Sequence, residues 1–202
     1  QKEFSLMALY SKNNRNNDFE NITKEIDGNV FTEGFKNLND SYNQEITIQA
    51  DYQTPIGTNQ MIEIGGKDIM RKAFSDYTYL ADADGSGNYV PTDNPTLTNN
   101  LNYDQNIVAG YLSYTVTLPK GYSLKAGTRY EYTTIDAYSR TEENIEIPSY
   151  GVLVPSANLS KKLKNGTMKV AYNRRIQRPS IQFLNPNVQA SNQIDISSGN
   201  PE

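Results

Sequence analysis

Apolar and polar residues alternate with a period of two along much of the chain. In residues 45–53, Ile46, Ile48, Ala50 and Tyr52 fall on one side, and Glu45, Thr47, Gln49, Asp51 and Gln53 on the other. In residues 122–133, Tyr122, Leu124, Ala126, Tyr130 and Tyr132 alternate with Ser123, Lys125, Gly127, Arg129, Glu131 and Thr133, and Thr128 is the one polar member of the apolar side. Leu112, Tyr114, Val116 and Leu118 oppose Ser113, Thr115 and Thr117, and Met168, Val170 and Tyr172 oppose Lys169, Asn173 and Arg175. Phe4, Leu6, Ala8 and Tyr10 share a face in a weaker segment, while residues 61–75 and 152–163 alternate less cleanly. Successive side chains of a strand point to opposite faces, so such segments are strands lying between two different surroundings. Seven are expected, over residues 3–12, 41–54, 61–75, 102–118, 122–139, 150–163 and 167–178.

The connections are of two kinds. Residues 55–59, 119–121 and 164–166 are short turns, and Asn165-Gly166 is a tight-hairpin signal because both residues tolerate positive φ. About residues 13–40, 76–102, 134–149 and 179–202 the chain is long, polar and rich in Asn, Asp and Gly. Short and long connections alternate, so antiparallel strands place all the turns at one end and all the loops at the other. Transmembrane β-barrels have this asymmetry, with short periplasmic turns and long extracellular loops. The eleven residues 122–132, at roughly 3.3 Å each and a tilt near 40–45°, rise about 25 Å, the height of an outer-membrane apolar band. Tyr122 then lies near the periplasmic rim, with Tyr130 and Tyr132 near the outer rim.

Alternating strands also build soluble β-sandwiches. Strands over ten residues long, the alternation of loop lengths, and polar faces that mix Lys, Arg and Glu favour the membrane barrel. The expected fold is an all-β, antiparallel transmembrane β-barrel segment occupying residues 1–202 as one partial barrel domain. An odd strand number does not close a bacterial single-chain barrel, and open edges leave backbone groups that hydrocarbon cannot satisfy. The chain is therefore expected to be part of a larger barrel.

Composition narrows the chemistry. Only 36% of the 202 residues are apolar, yet there are 15 Tyr and 6 Phe, which argues against disorder. The chain has no Cys and no His. Disulfides, thiolate metal sites and histidine general bases are therefore excluded. A net charge of −4 speaks against a nucleic-acid partner. No run of eighteen apolar residues is present to form a transmembrane helix, and the start at Gln1-Lys2-Glu3 lacks the apolar region of a signal peptide. No Ser has a His to activate it, and Glu142-Glu143 reads as a solvated loop pair, so no enzyme activity is expected.

Residues 122–133, Tyr-Ser-Leu-Lys-Ala-Gly-Thr-Arg-Tyr-Glu-Tyr-Thr, resemble a strand of the Bacteroidetes TonB-dependent outer-membrane receptors. Pro155-Ser156-Ala157-Asn158-Leu159-Ser160 is similar to a later strand of that family, and residues 171–180, with Arg174, Arg175, Arg178 and Pro179, to its next strand end. Leu184-Asn185-Pro186 and Gly199-Asn200-Pro201-Glu202 are similar to the loop that follows. The resemblance spans roughly residues 103–202, and residues 1–100 share only the general pattern. It implies a 22-stranded barrel in the bacterial outer membrane, with extracellular long loops and an N-terminal plug, importing a scarce solute (siderophore, glycan or peptide) with energy from TonB. The implied partners are outer-membrane lipid and, through a plug outside this chain, TonB. Two alternatives stand beside this one: a structural or accessory barrel subunit within a larger assembly of outer-membrane proteins, and a secreted β-sandwich binding module.

Three groups of residues are candidates for chemistry. Asp82, Asp84, Ser86, Asn88 and Asp93 place oxygens at positions 1, 3, 5, 7 and 12 of a stretch with Gly87 at position 6, the order of a twelve-residue calcium loop. Asp93 stands where such loops use Glu, and the other reading is a surface loop built of turn residues. Arg174, Arg175 and Arg178 are either an anion contact at the outer mouth or structural partners of loop carboxylates. Arg129 and Glu131, two apart on one face, are expected to point into the lumen and join a charge network. The loop tyrosines Tyr77, Tyr79, Tyr89 and Tyr150 either form a ligand surface or pack the loops together.

Overall fold

The alternating segments become the long strands of one antiparallel meander. A computed structural model describes residues 2–25, 27, 31–92, 97–140, 145–178, 189–190 and 196–197. The strands are β1 (Glu3–Lys24), β2 (Phe31–Pro55), β3 (Gln60–Asp82), β4 (Val90–Pro91), β5 (Asn99–Leu118), β6 (Tyr122–Ser139), β7 (Tyr150–Leu163), β8 (Gly166–Asn173), β9 (Gln189–Ala190) and β10 (Ile196–Ser197). The main sheet runs β1-β2-β3-β5-β6-β7-β8, with two-residue β4 paired to the far end of β3, and β9 pairs only with β10. The seven expected strands are those of the main sheet, which forms half of a barrel wall.

The registers of β2 on β3 and of β3 on β5 run without a shift. A one-residue slip would exchange the two faces, so unbroken registers carry one face intact across the sheet. On that face lie Ile48, Leu124 and Val170, the last two 37% and 63% exposed. Gln49, Arg129 and Asn173 instead line one hollow on the concave side. The aliphatic side chains thus point outward and the polar ones inward, which is the orientation of a membrane barrel and the reverse of a sandwich. Met7 and Leu9 share the inward face of β1, and nothing in the structure explains them.

The strands exceed the expected ones at the loop end. β1, β2 and β3 hold 22, 25 and 23 residues, so much of the segments expected as loops over 13–40 and 76–102 is paired sheet. Asn13 faces Asn43, Asn17 faces Asn39, and Tyr79 faces Asn37 in the continuing ladder. Alternation reports a difference between two surroundings. Above the membrane both faces meet water or other loops, so the alternation fades while backbone pairing continues, overriding the low strand preference of Asn and Asp. The hairpin between β7 and β8 also differs: residues 164–165 make the turn, Gly166 already pairs with Leu163, and neither Asn165 nor Gly166 takes a positive φ. Positive φ occurs instead at Lys120 (63°) and Gly121 (76°) in the turn between β5 and β6.

A small core lies on the inward side above the apolar band. Leu101, Tyr103, Ala73 and Ala137 are joined there by Ile145, whose amide donates to the Ala137 carbonyl at 2.8 Å. Ile145 thus pairs alongside β6, and its side chain covers this part of the wall.

Candidate functional site: the inward wall

Polar side chains of the inward face meet across strands because the registers bring them opposite one another. Glu45 of β2 faces Arg71 of β3, which faces Gln105 of β5. Arg71 Nε donates to Glu45 Oε2 at 2.7 Å and its Nη1 to Gln105 Oε1 at 3.3 Å, while Gln105 Nε2 donates to the Tyr103 hydroxyl at 3.0 Å. Lower on the wall, Gln49 Nε2 donates to Asp51 Oδ2 at 2.8 Å and to the Tyr111 hydroxyl at 3.2 Å. Tyr111 reaches that position by lying flat over Gly65, where a Cβ would come within 2.4 Å of its ring. Glu63 accepts from both Lys125 and Ser113 near the periplasmic end. These hydrogen bonds, several of them charge-assisted, link neighbouring strands through half-exposed polar side chains of the wall.

Arg129 and Glu131 do point inward and do form a network. Arg129 Nε donates to Glu131 Oε1 at 2.6 Å, and Arg178 donates to the other carboxylate oxygen and to Thr133 Oγ1. Glu131 is 6% exposed, so its carboxylate is held between two guanidinium groups. Arg178 therefore separates from the two arginines that precede it. Arg174 and Arg175 lie beyond the end of β8 on the rim of a hollow of about 750 Å³, which Arg129, Arg178 and Lys67 also line. Glu131 is the one carboxylate among the residues lining that hollow, so the wall there is cationic and suits anionic groups.

The stretch expected as a calcium loop carries its own internal hydrogen bonds. Asp82 Oδ1 accepts from the Ser86 amide at 3.2 Å and Oδ2 from the Gly87 amide at 2.7 Å. Asp84 Oδ1 accepts from the Ser86 amide at 3.1 Å, and Ser86 Oγ from the Asn88 amide at 3.3 Å. The hydrogen bond from the Ser86 side chain, with others from the loop, lowers the Asp84 carboxyl below its ordinary range. Asp82, Asp84, Ser86 and Asn88 thus close a turn on themselves, as Asx-rich loops do. Asp93 lies outside the described residues, as do Glu142 and Glu143. Among the described residues no group of three or more His, Cys, Asp or Glu is arranged to hold a metal.

The loop tyrosines divide. Tyr79 stacks on Phe35 at 5.5 Å, and Phe19 packs on the other side of Phe35 at 6.0 Å. Tyr77 is buried, and burial pushes its hydroxyl, like that of Tyr103, up to about 12. Tyr89 lies under the Lys36 ammonium at 4.1 Å. Tyr150 begins β7 opposite Thr133. Sequence reasoning missed the Glu45–Arg71–Gln105 and Glu63–Lys125–Ser113 groups, because both depend on cross-strand register.

An outward apolar face, an inward polar wall and turns gathered at one end define the wall of an outer-membrane β-barrel. The chain belongs to the outer membrane protein beta-barrel family, whose model matches residues 1–202, and its place is the bacterial outer membrane. Among solved structures it is similar to the ferric citrate transporter FecA in its unliganded form, with 15% identity and a TM-score of 0.55 over 84% of this chain. The match covers 24% of that chain, so this sequence spans about a quarter of the transporter's length. No curated protein matches the sequence.

Proposed function

We propose that the chain forms part of the wall of a TonB-dependent importer that takes up a scarce solute such as a siderophore, a glycan or a peptide. The observation that carries this reading is the inward wall. It is lined by fixed ion pairs and by a cationic hollow, a surface suited to polar contents: a plug, a solute or both. A purely structural barrel needs no such asymmetry of charge within its lumen. The fold shared with a ferric citrate transporter supports this reading. Crosslinking the full-length protein to TonB in intact cells tests the reading. A TonB adduct is expected. Its absence, in cells where another receptor forms one, overturns it.

A further inference from the structure

We propose that the outward face of β3 and β5 carries a docking site for a second outer-membrane protein, which brings a Lys or Arg side chain to Asp68. Asp68 stands on the apolar face, directly between Ile48 of β2 and Val108 of β5. It lies six residues along β3 from Ile62, which at roughly 3.3 Å per residue and a 40–45° tilt is about 15 Å into a band about 25 Å high. Asp68 Oδ1 is covered by protein and has no hydrogen-bond partner among the described residues. The same is true of Asn106 Oδ1, one same-face step further along β5, opposite Met70. The next basic residue on this face of β3, Lys72, pairs with Asp104 at 3.4 Å. Two side-chain acceptors on the outward face, one of them a carboxylate oxygen, therefore stand without a donor among the described residues. Hydrocarbon supplies neither water nor counter-charge, and ionisable groups at such depth mark functional contacts.

The surface beside Asp68 has room for a partner. One same-face step toward the periplasm, Gly66 pairs directly with Gly110, and nothing lies within 4 Å of where a Gly110 side chain would begin. Tyr130, opposite Gly110 on β6, leans away over Gly151, where a Cβ would come within 2.2 Å of its hydroxyl oxygen. The result is a shallow recess with the carboxylate at its outer edge. Lipid tails can fill the recess but cannot satisfy Asp68, whereas a protein segment bearing a cation does both. The inference requires only an outer-membrane barrel, and holds whether or not the barrel imports a solute.

The test uses the full-length protein in its own membrane, with a photo-crosslinking residue at Val108, beside Asp68, or at Leu159, further round the same face. Both positions are outward and about half exposed. Position 108 is expected to give an adduct with another protein, through a peptide that contains Lys or Arg, and position 159 only lipid adducts. Asp68→Leu and Asp68→Asn are expected to cut the protein adduct at least tenfold, and Asp68→Glu to keep it. Retained heat-modifiable gel mobility in each variant separates loss of the partner from loss of the fold, and if Asp68→Leu fails to fold, Asp68→Asn decides. Lipid adducts alone at position 108, an adduct that survives both substitutions in folded protein, a linked peptide without a basic residue, or an adduct only to a second copy of this protein overturns the proposal.

Discussion

Glu131 sits between two guanidinium groups, and that position sets what its removal does. Glu131→Ala leaves Arg129 and Arg178 facing each other on a wall where Glu131 is 6% exposed. A loss of about 1 kcal/mol is expected, from the partly buried Arg178 left without its carboxylate while the more exposed Arg129 turns to water, read as a lower temperature of heat-modifiable unfolding, and Glu131→Gln should lose less because it keeps one acceptor. Asp82 acts by a different route, holding two backbone amides of its own loop. Asp82→Ala is expected to speed proteolysis between residues 83 and 89. Tyr77 and Tyr103 give a pH signature above the apolar band, since burial raises both hydroxyls to about 12. A tyrosine with its folded pKa raised above the unfolded value near 10 contributes stability that is present below pH 10 and lost as pH rises toward 12. Absorbance titration is expected to show a late tyrosine fraction ionising near pH 12.

The strands were legible in the sequence wherever their two faces meet different solvents. Ile46, Ile48, Ala50 and Tyr52 sufficed to place the middle of β2, and residues 122–139 and 150–163 match β6 and β7 at both ends. The outer halves of β1, β2 and β3 were not legible, because runs such as Asn13-Asn14-Arg15-Asn16-Asn17 report no difference between faces. Their pairing is a property of the neighbouring strand, which a single sequence does not display. The candidate site divides in the same way. Arg129 and Glu131 share one strand, and their contact follows from a spacing of two, whereas Glu63 with Lys125 requires knowledge of register, and Arg178 with Glu131 requires the path of the chain beyond β8. Asp68 left only a trace, as an interruption in the alternation of 61–75. At this scale the two faces of β6 should answer substitution oppositely. Leu124→Arg is expected to destabilise the barrel, with about 2–4 kcal/mol as the limit at the bilayer midplane, and a polar substitution such as Lys125→Gln to cost much less. Refolding into lipid vesicles measures both.

At the scale of the whole molecule, the chain is half of a barrel wall whose edges, among the described residues, are β1 and β8. Unpaired edge groups are untenable in hydrocarbon, so the edges must find further strands. The family match over residues 1–202 and the fold shared with a much longer transporter fit that requirement. Everything above depends on which side of the sheet meets lipid, and a chain without cysteine allows this to be read one position at a time. Single cysteines at Ile48, Leu124 and Val170, and at Gln49, Arg129 and Asn173, would be spin-labelled in the full-length protein in bilayers. The first three labels should be relaxed by oxygen dissolved in the membrane, and the other three by a water-soluble nickel complex. Labels at Leu124 and Val170 that neither agent reaches would mean that the apolar face is sealed against protein, and would contradict the account.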